Sequence, residues 1–171
     1  VGVAAYSVVV VISLVAVAMY TGLSQGVQPI ISRNHGLKNT MAVKTLLRYG
    51  LITMVLLSVI IYAIIFSCDS SIASVFNSEQ NEDLQSMAIM GLKLYFTACP
   101  FVGFNIVLAI YFTSTERPRP AHIISLLRGF FVIIPAAFLL SALLGMTGVW
   151  CAFPITECIV SAVGVLFYIL G

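Results

Sequence analysis

Residues 1–32, VGVAAYSVVVVISLVAVAMYTGLSQGVQPIIS, contain no charged side chain, and Arg33, His35, Lys38 and Lys44 follow at once. An uncharged apolar run of this length can cross a bilayer, since about 20 helical residues at ~1.5 Å rise span the hydrocarbon. Basic residues directly behind such a run mark the end that stays in the cytoplasm. This stretch makes lipid the solvent of the chain, and the remaining segments repeat its pattern.

Hydrophobic residues make up 61% of the 171 residues and charged residues 8%, with a mean hydropathy of +1.12. Soluble domains carry about 25% charged residues. A chain this short cannot hide so much apolar surface in a water-soluble core. A net charge of +2 is too small to attract nucleic acid. The chain opens on Val1 inside an apolar run and stops at Gly171 just after another, so it is expected to be a piece of a longer membrane protein. Cys68, Cys99, Cys151 and Cys158 form no Cys-x-x-Cys pair and read as small apolar fillers, with no metal site.

Five spans are expected, at about 6–31, 49–67, 87–113, 123–144 and 149–170. Each must be helical, because an unpaired backbone amide in hydrocarbon costs several kcal/mol and a helix pairs its amides internally. The fold class is therefore all-α, a polytopic transmembrane bundle of five spanning helices. The connections alternate in charge. Residues 32–48 hold Arg33, Lys38, Lys44 and Arg48, and residues 114–122 hold Arg117 and Arg119 beside Glu116. Residues 68–86 hold Asp69, Glu79, Glu82 and Asp83 and no Lys or Arg. Connections 32–48 and 114–122 and the C-terminus are expected in the cytoplasm, and 68–86 outside as a mobile acidic hairpin. Pro118 and Pro120 are expected to make a stiff turn. On this layout Lys93 is the one basic residue out of place.

Glu157 is the only charge in the fifth span. It lies nine residues beyond Gly148, ~13 Å at helical rise and so near mid-depth. An ionised carboxylate there costs roughly 2.5–3.5 kcal/mol on insertion scales and should face protein or water. It reads either as a site for a cation, a proton or a cationic substrate, or as a protonated or paired carboxyl that tethers helices. Lys93 sits at comparable depth in the third span. An ion pair with Glu157 is geometrically allowed if those helices are neighbours; the other reading has Lys93 snorkelling outward along its stem. Pro100, Pro135 and Pro154 lie inside spans, where each removes a backbone hydrogen bond and kinks its helix. Bent helices of this kind line cavities in transporters. Gly22 and Gly26, four apart, would let a neighbouring helix approach closely. Gln25, Gln28, Asn105 and Tyr111 are candidate polar groups of a pathway, or interhelical hydrogen-bonding groups. No His-Glu-x-x-His, Gly-x-Ser-x-Gly or phosphate-binding glycine loop is present, so the chain does not read as an enzyme.

Three stretches carry a resemblance. They are Gly22 to Gly36 (GLSQGVQPIISRNHG), Thr115-Glu-Arg-Pro118 with Ser125 and Arg128, and Gly148 to Glu157 (GVWCAFPITE). They resemble, in order, the end of the eighth helix, the entry to the eleventh and the start of the twelfth in multidrug and toxic compound extrusion (MATE) transporters. The resemblance implies a two-lobe, twelve-helix protein of which this chain is the C-terminal lobe from helix eight, with helix seven and the N-terminal lobe absent. It also implies alternating-access antiport of small organic, chiefly cationic, drugs against protons or sodium ions, in the bacterial cytoplasmic (inner) membrane and with no further cofactor. The family's sodium-linked branch uses an acidic residue in helix ten. The matching span here has Lys93 and no carboxylate, so no sodium site is carried over. The partners implied are drug, membrane lipid and the missing lobe. Two other readings compete. A flippase of lipid-linked oligosaccharide or polysaccharide would want more buried Arg and Lys, and Glu157 speaks against it. A non-transporting scaffold would tolerate neutral residues at Glu157 and Lys93.

Overall fold

Val1 opens a single helix, α1, that runs from Gly2 to Gly36. The computed structural model describes residues Val1–Gly171 and consists of helices joined by short connections. α1 ends where Lys38 takes a positive φ of 56°. Asn39 then caps the next helix by accepting the Ala42 N–H at 3.1 Å, which satisfies one of the amides that every helix start leaves unpaired. That helix, α2, covers Thr40–Phe76. At ~1.5 Å per residue it is far longer than the ~30 Å of hydrocarbon, so its ends stand beyond the lipid core.

The expected mobile hairpin at 68–86 is mostly helix. α2 continues past Ser67 to Phe76, and α3 starts at Glu82 and runs to Tyr95. Only residues 77–81 turn. Asn81 caps α3 through the Leu84 N–H at 3.0 Å, and Glu82 and Asp83 occupy the first turn, where negative charge offsets the helix dipole. The Asn77 amide donates to the Asn81 carbonyl at 2.9 Å, and Gln85 donates to the Ser70 carbonyl at 2.9 Å. Charge marked this segment as lying outside lipid. It did not reveal that polar side chains could tie two protruding helix ends together.

Prolines reshape the third and fourth spans differently. Pro100 has no N–H to offer the Phe96 carbonyl. The chain tightens into a 3-10 turn at Phe96–Ala98, with the Cys99 N–H taking that carbonyl, before α4 runs from Cys99 to Ser114. Pro118 opens α5, Pro118–Leu126. Pro118 and Pro120 therefore start a helix rather than a stiff turn, because the first turn of a helix needs no N–H from them. The true turn is Thr115–Arg117, where Glu116 has φ 58°. Beyond α5, residues Leu127–Phe131 widen into a π turn, closed by the Val132 N–H to the Leu127 carbonyl at 3.0 Å. Pro135 follows within α6, Ile133–Leu144. Pro154, like Pro29 in α1, sits inside an unbroken helix, here α7, Met146–Ile169.

Five helical stretches are thus long and apolar enough to cross a membrane: α1, α2, α3 with α4, α5 with α6, and α7. α1 to α4 pack around Tyr20, Met54, Leu92, Phe96 and Val102, all buried, and Trp150 of α7 closes this core. Gly91 makes that closure feasible: a Cβ there would stand 2.7 Å from the Trp150 ring. Leu108, Phe112, Ile124 and Val160 form a second cluster that binds α4, α5 and α7. α6 contributes no buried residue and packs chiefly on α7, with Phe138, Leu139 and Leu143 exposed. Lipid suits those side chains as well as protein does. The bundle also sorts its charges. One cavity is lined by His35 and Lys38 together with Thr115 and Arg117, so the two basic connections share an end. Gly2 lies beside Met146 and Met87 at the other.

Candidate functional site

Glu157 is the twelfth of the 24 residues of α7 and is 1% exposed. Three elements reach its carboxylate. Arg128, in the π turn, donates through Nε to Oε1 at 2.8 Å. Asn105 of α4 donates through Nδ2 to Oε2 at 2.7 Å and to the Glu157 carbonyl at 3.1 Å. Ser161, one turn further along α7, lies 2.8 Å from the Glu157 carbonyl and 3.1 Å from Asn105 Oδ1. Its single proton serves these two acceptors and holds the Asn105 amide with its NH₂ toward the carboxylate.

The local backbone explains the meeting. A π turn adds a residue to the helical circuit and turns the following face, a device common at functional sites. Here Arg128 lies in that turn and its guanidinium meets α7. Asn105 is 0% exposed on α4, which packs against α7. The carboxylate therefore has a cationic partner on one oxygen and an amide on the other. A buried charge persists only when so partnered. The Arg128 side chain is 24% exposed while that of Glu157 is 1% exposed, so access to the pair is from the arginine side. Chemically the arrangement is a carboxylate whose charge Arg128 balances on one oxygen while the Asn105 amide holds the other.

The Lys93–Glu157 pair that the sequence allowed is not formed. Lys93 Nζ lies 2.9 Å from Asp69 Oδ2 and 4.9 Å from the centre of the Phe66 ring, both on α2. The ammonium has moved outward to the protruding end of α2, where Asp69 waits. Gln25 is exposed and Gln28 half-buried on α1, and neither joins the Glu157 network. Gly22 and Gly26 have no atom within 4 Å of where a Cβ would sit, so the close approach expected there is not made by any helix of this chain. Tyr111 is tilted against Tyr168 at 5.7 Å between ring centres and lines the cavity at the basic end, away from Glu157. Of the candidates, only Asn105 and Glu157 come together. Arg128 and Ser161 complete the site. Arg128 enters the sequence reading only through the resemblance, although it is the only charge within 123–144. Ser161 could have been found from its i+4 spacing to Glu157.

The MatE family model matches residues 1–139. The chain belongs to the MatE family. Among related sequences, the multidrug export protein MepA of Staphylococcus saprophyticus is 26% identical over 149 residues, which cover 87% of this chain and 32% of that protein. Among solved structures, an outward-facing multidrug resistance MATE family transporter of the MOP superfamily superposes with a TM-score of 0.89 at 17% identity, covering 96% of this chain and 37% of the other. The Vibrio cholerae MATE transporter VcmN in its bent form gives 0.88 at 17% identity, covering 97% and 37%. The chain thus spans about a third of the length of these MatE relatives, which are membrane transporters and not enzymes.

Proposed function

We propose that this chain is the C-terminal lobe, from helix eight to helix twelve, of a secondary antiporter that expels small organic, chiefly cationic, drugs by alternating access in exchange for protons or sodium ions. The observation that carries this reading is the Arg128–Glu157 pair, a buried charge couple near mid-depth whose arginine sits on a π turn. Intramembrane ionisable pairs of this kind mark ion and substrate pathways. Arrival of a proton or cation at Glu157 weakens its hold on Arg128, and α5 and α6 are then free to move against α7. The printed function of MepA, multidrug export, supports the same reading.

The site would work in the cytoplasmic membrane of a bacterium, with residues 32–48, 114–122 and the C-terminus in the cytoplasm and residues 68–86 outside. The positive-inside tendency and the gathering of both basic connections at one end support that orientation. The test is export of a fluorescent cationic dye by cells that express the intact protein. Glu157→Gln is expected to abolish most export at unchanged expression. Full export by that variant overturns the role given to Glu157.

A further inference from the structure

A second feature lies at the basic end, away from Glu157. Lys44, Leu47, Arg48, Leu51 and Ile52 are spaced i, i+3, i+4, i+7 and i+8 along α2 and so share one helix face. They form one wall of a groove of about 290 Å³, closed by Phe104 and Leu108 of α4 and by Val165 and Tyr168 of α7. Apart from Lys44 and Arg48, its lining is apolar but for the Tyr168 hydroxyl. Its mouth adjoins the larger cavity of about 680 Å³ at the same end, and Lys44 lines both.

The charges of the two spaces are lopsided. Lys38, Lys44, Arg48 and Arg117, with His35 beside them, face a single side-chain carboxylate, Glu116. Arg117 is partly engaged, lying over the Phe112 ring and 3.4 Å from the Phe167 carbonyl. Lys44 and Arg48 have no carboxylate partner, since the two ion pairs of the molecule lie elsewhere. Arg48 is also the last charge before the uncharged stretch Tyr49–Ser67. It therefore stands at the depth of the phosphates, and Leu51 and Ile52 sit ~5–6 Å deeper, at the start of the hydrocarbon.

We propose that this groove binds one anionic phospholipid of the leaflet at the basic end, its phosphate between Lys44 and Arg48 and the upper part of an acyl chain on Leu51, Ile52, Phe104 and Val165. Basic pockets between membrane helices hold acidic headgroups by the same complementarity. A free phosphate would use the mouth but leave the apolar groove unused. A zwitterionic lipid would fill the groove but add no net charge to balance two unpaired cations.

The test is native mass spectrometry of the intact protein titrated with phosphatidylglycerol, and with phosphatidylcholine of identical acyl chains. Phosphatidylglycerol is expected to bind in preference. Lys44→Gln with Arg48→Gln should weaken it roughly 30-fold, at ordinary strengths for basic residues near a membrane surface. Lys44→Arg with Arg48→Lys should restore it, which separates lost charge from misfolding. Val165→Trp, which fills the groove, should also weaken it while leaving binding of glycerol 3-phosphate unaffected. Equal binding of the two lipids overturns the proposal, because the groove then takes any lipid or is covered by a segment outside residues 1–171. Full competition by glycerol 3-phosphate, with Val165→Trp silent, also overturns it and makes the mouth a site for soluble anions.

Discussion

Arg128 meets Glu157 across the interface of two helices, Nε to Oε1 at 2.8 Å, from a turn that is wider than an α-helical one. Removal of the arginine leaves a buried carboxylate with no cation. Loss of one partner of a buried pair commonly costs about 3–5 kcal/mol, whereas neutral replacement of both is far milder. Arg128→Gln in the intact protein is therefore expected to lower the thermal midpoint in detergent markedly, and Arg128→Gln with Glu157→Gln to recover most of the loss. An additive double variant in a thermal-shift series would mean that the two residues are not energetically coupled.

Asn105 holds the second carboxylate oxygen. A hydrogen bond to a charged group contributes about 1.5–3 kcal/mol. Asn105→Ala should destabilise by that order, measured by unfolding in mild detergent, and Ser161→Ala by less, because Ser161 reaches the Glu157 carboxylate only through the Asn105 amide. A larger loss from Ser161→Ala would reverse the hierarchy of the network.

The Lys93–Asp69 bridge lies at the protruding end of α2, with the lysine side chain 41% exposed. Exposed pairs of this kind contribute about 0–1 kcal/mol. Lys93→Gln is expected to leave dye export within about twofold and the midpoint nearly unchanged, in contrast to Glu157→Gln. Loss of export on neutralising Lys93 alone would return that residue to the pathway.

Gly91 is the seat of Trp150. A methyl group at that position collides with the ring, and overpacking of a tight core costs about 1–3 kcal/mol. Gly91→Ala should lower the midpoint, and Gly91→Ala combined with Trp150→Phe should regain part of it. Equal stability of wild type and Gly91→Ala would show that the ring is free to shift.

Much of the fold was legible because insertion is a one-dimensional problem. The runs around Val1–Ser32 and Tyr49–Ser67 had to be helical, and their lengths had to reach across hydrocarbon. Charge contrast likewise separated Lys38 and Arg117 from Asp69 and Glu82. What misled was the equation of polar with loop: Asp69 and Ser70 continue α2, and Pro118 and Pro120 begin α5. Hydropathy reports the solvent of a segment, and a helix end in water is still a helix when Asn39 or Asn81 caps it.

By itself the sequence determined that the chain lives in lipid, how many times it can cross, and that Glu157 needs a partner, since each follows from the transfer cost of side chains taken one at a time. Only the tertiary structure decided that the partner is Arg128 and not Lys93. That choice depends on which helices touch and how each is rotated about its axis. A single π turn and the closeness of α4 to α7 set both, and neither leaves a periodic trace in the order of residues.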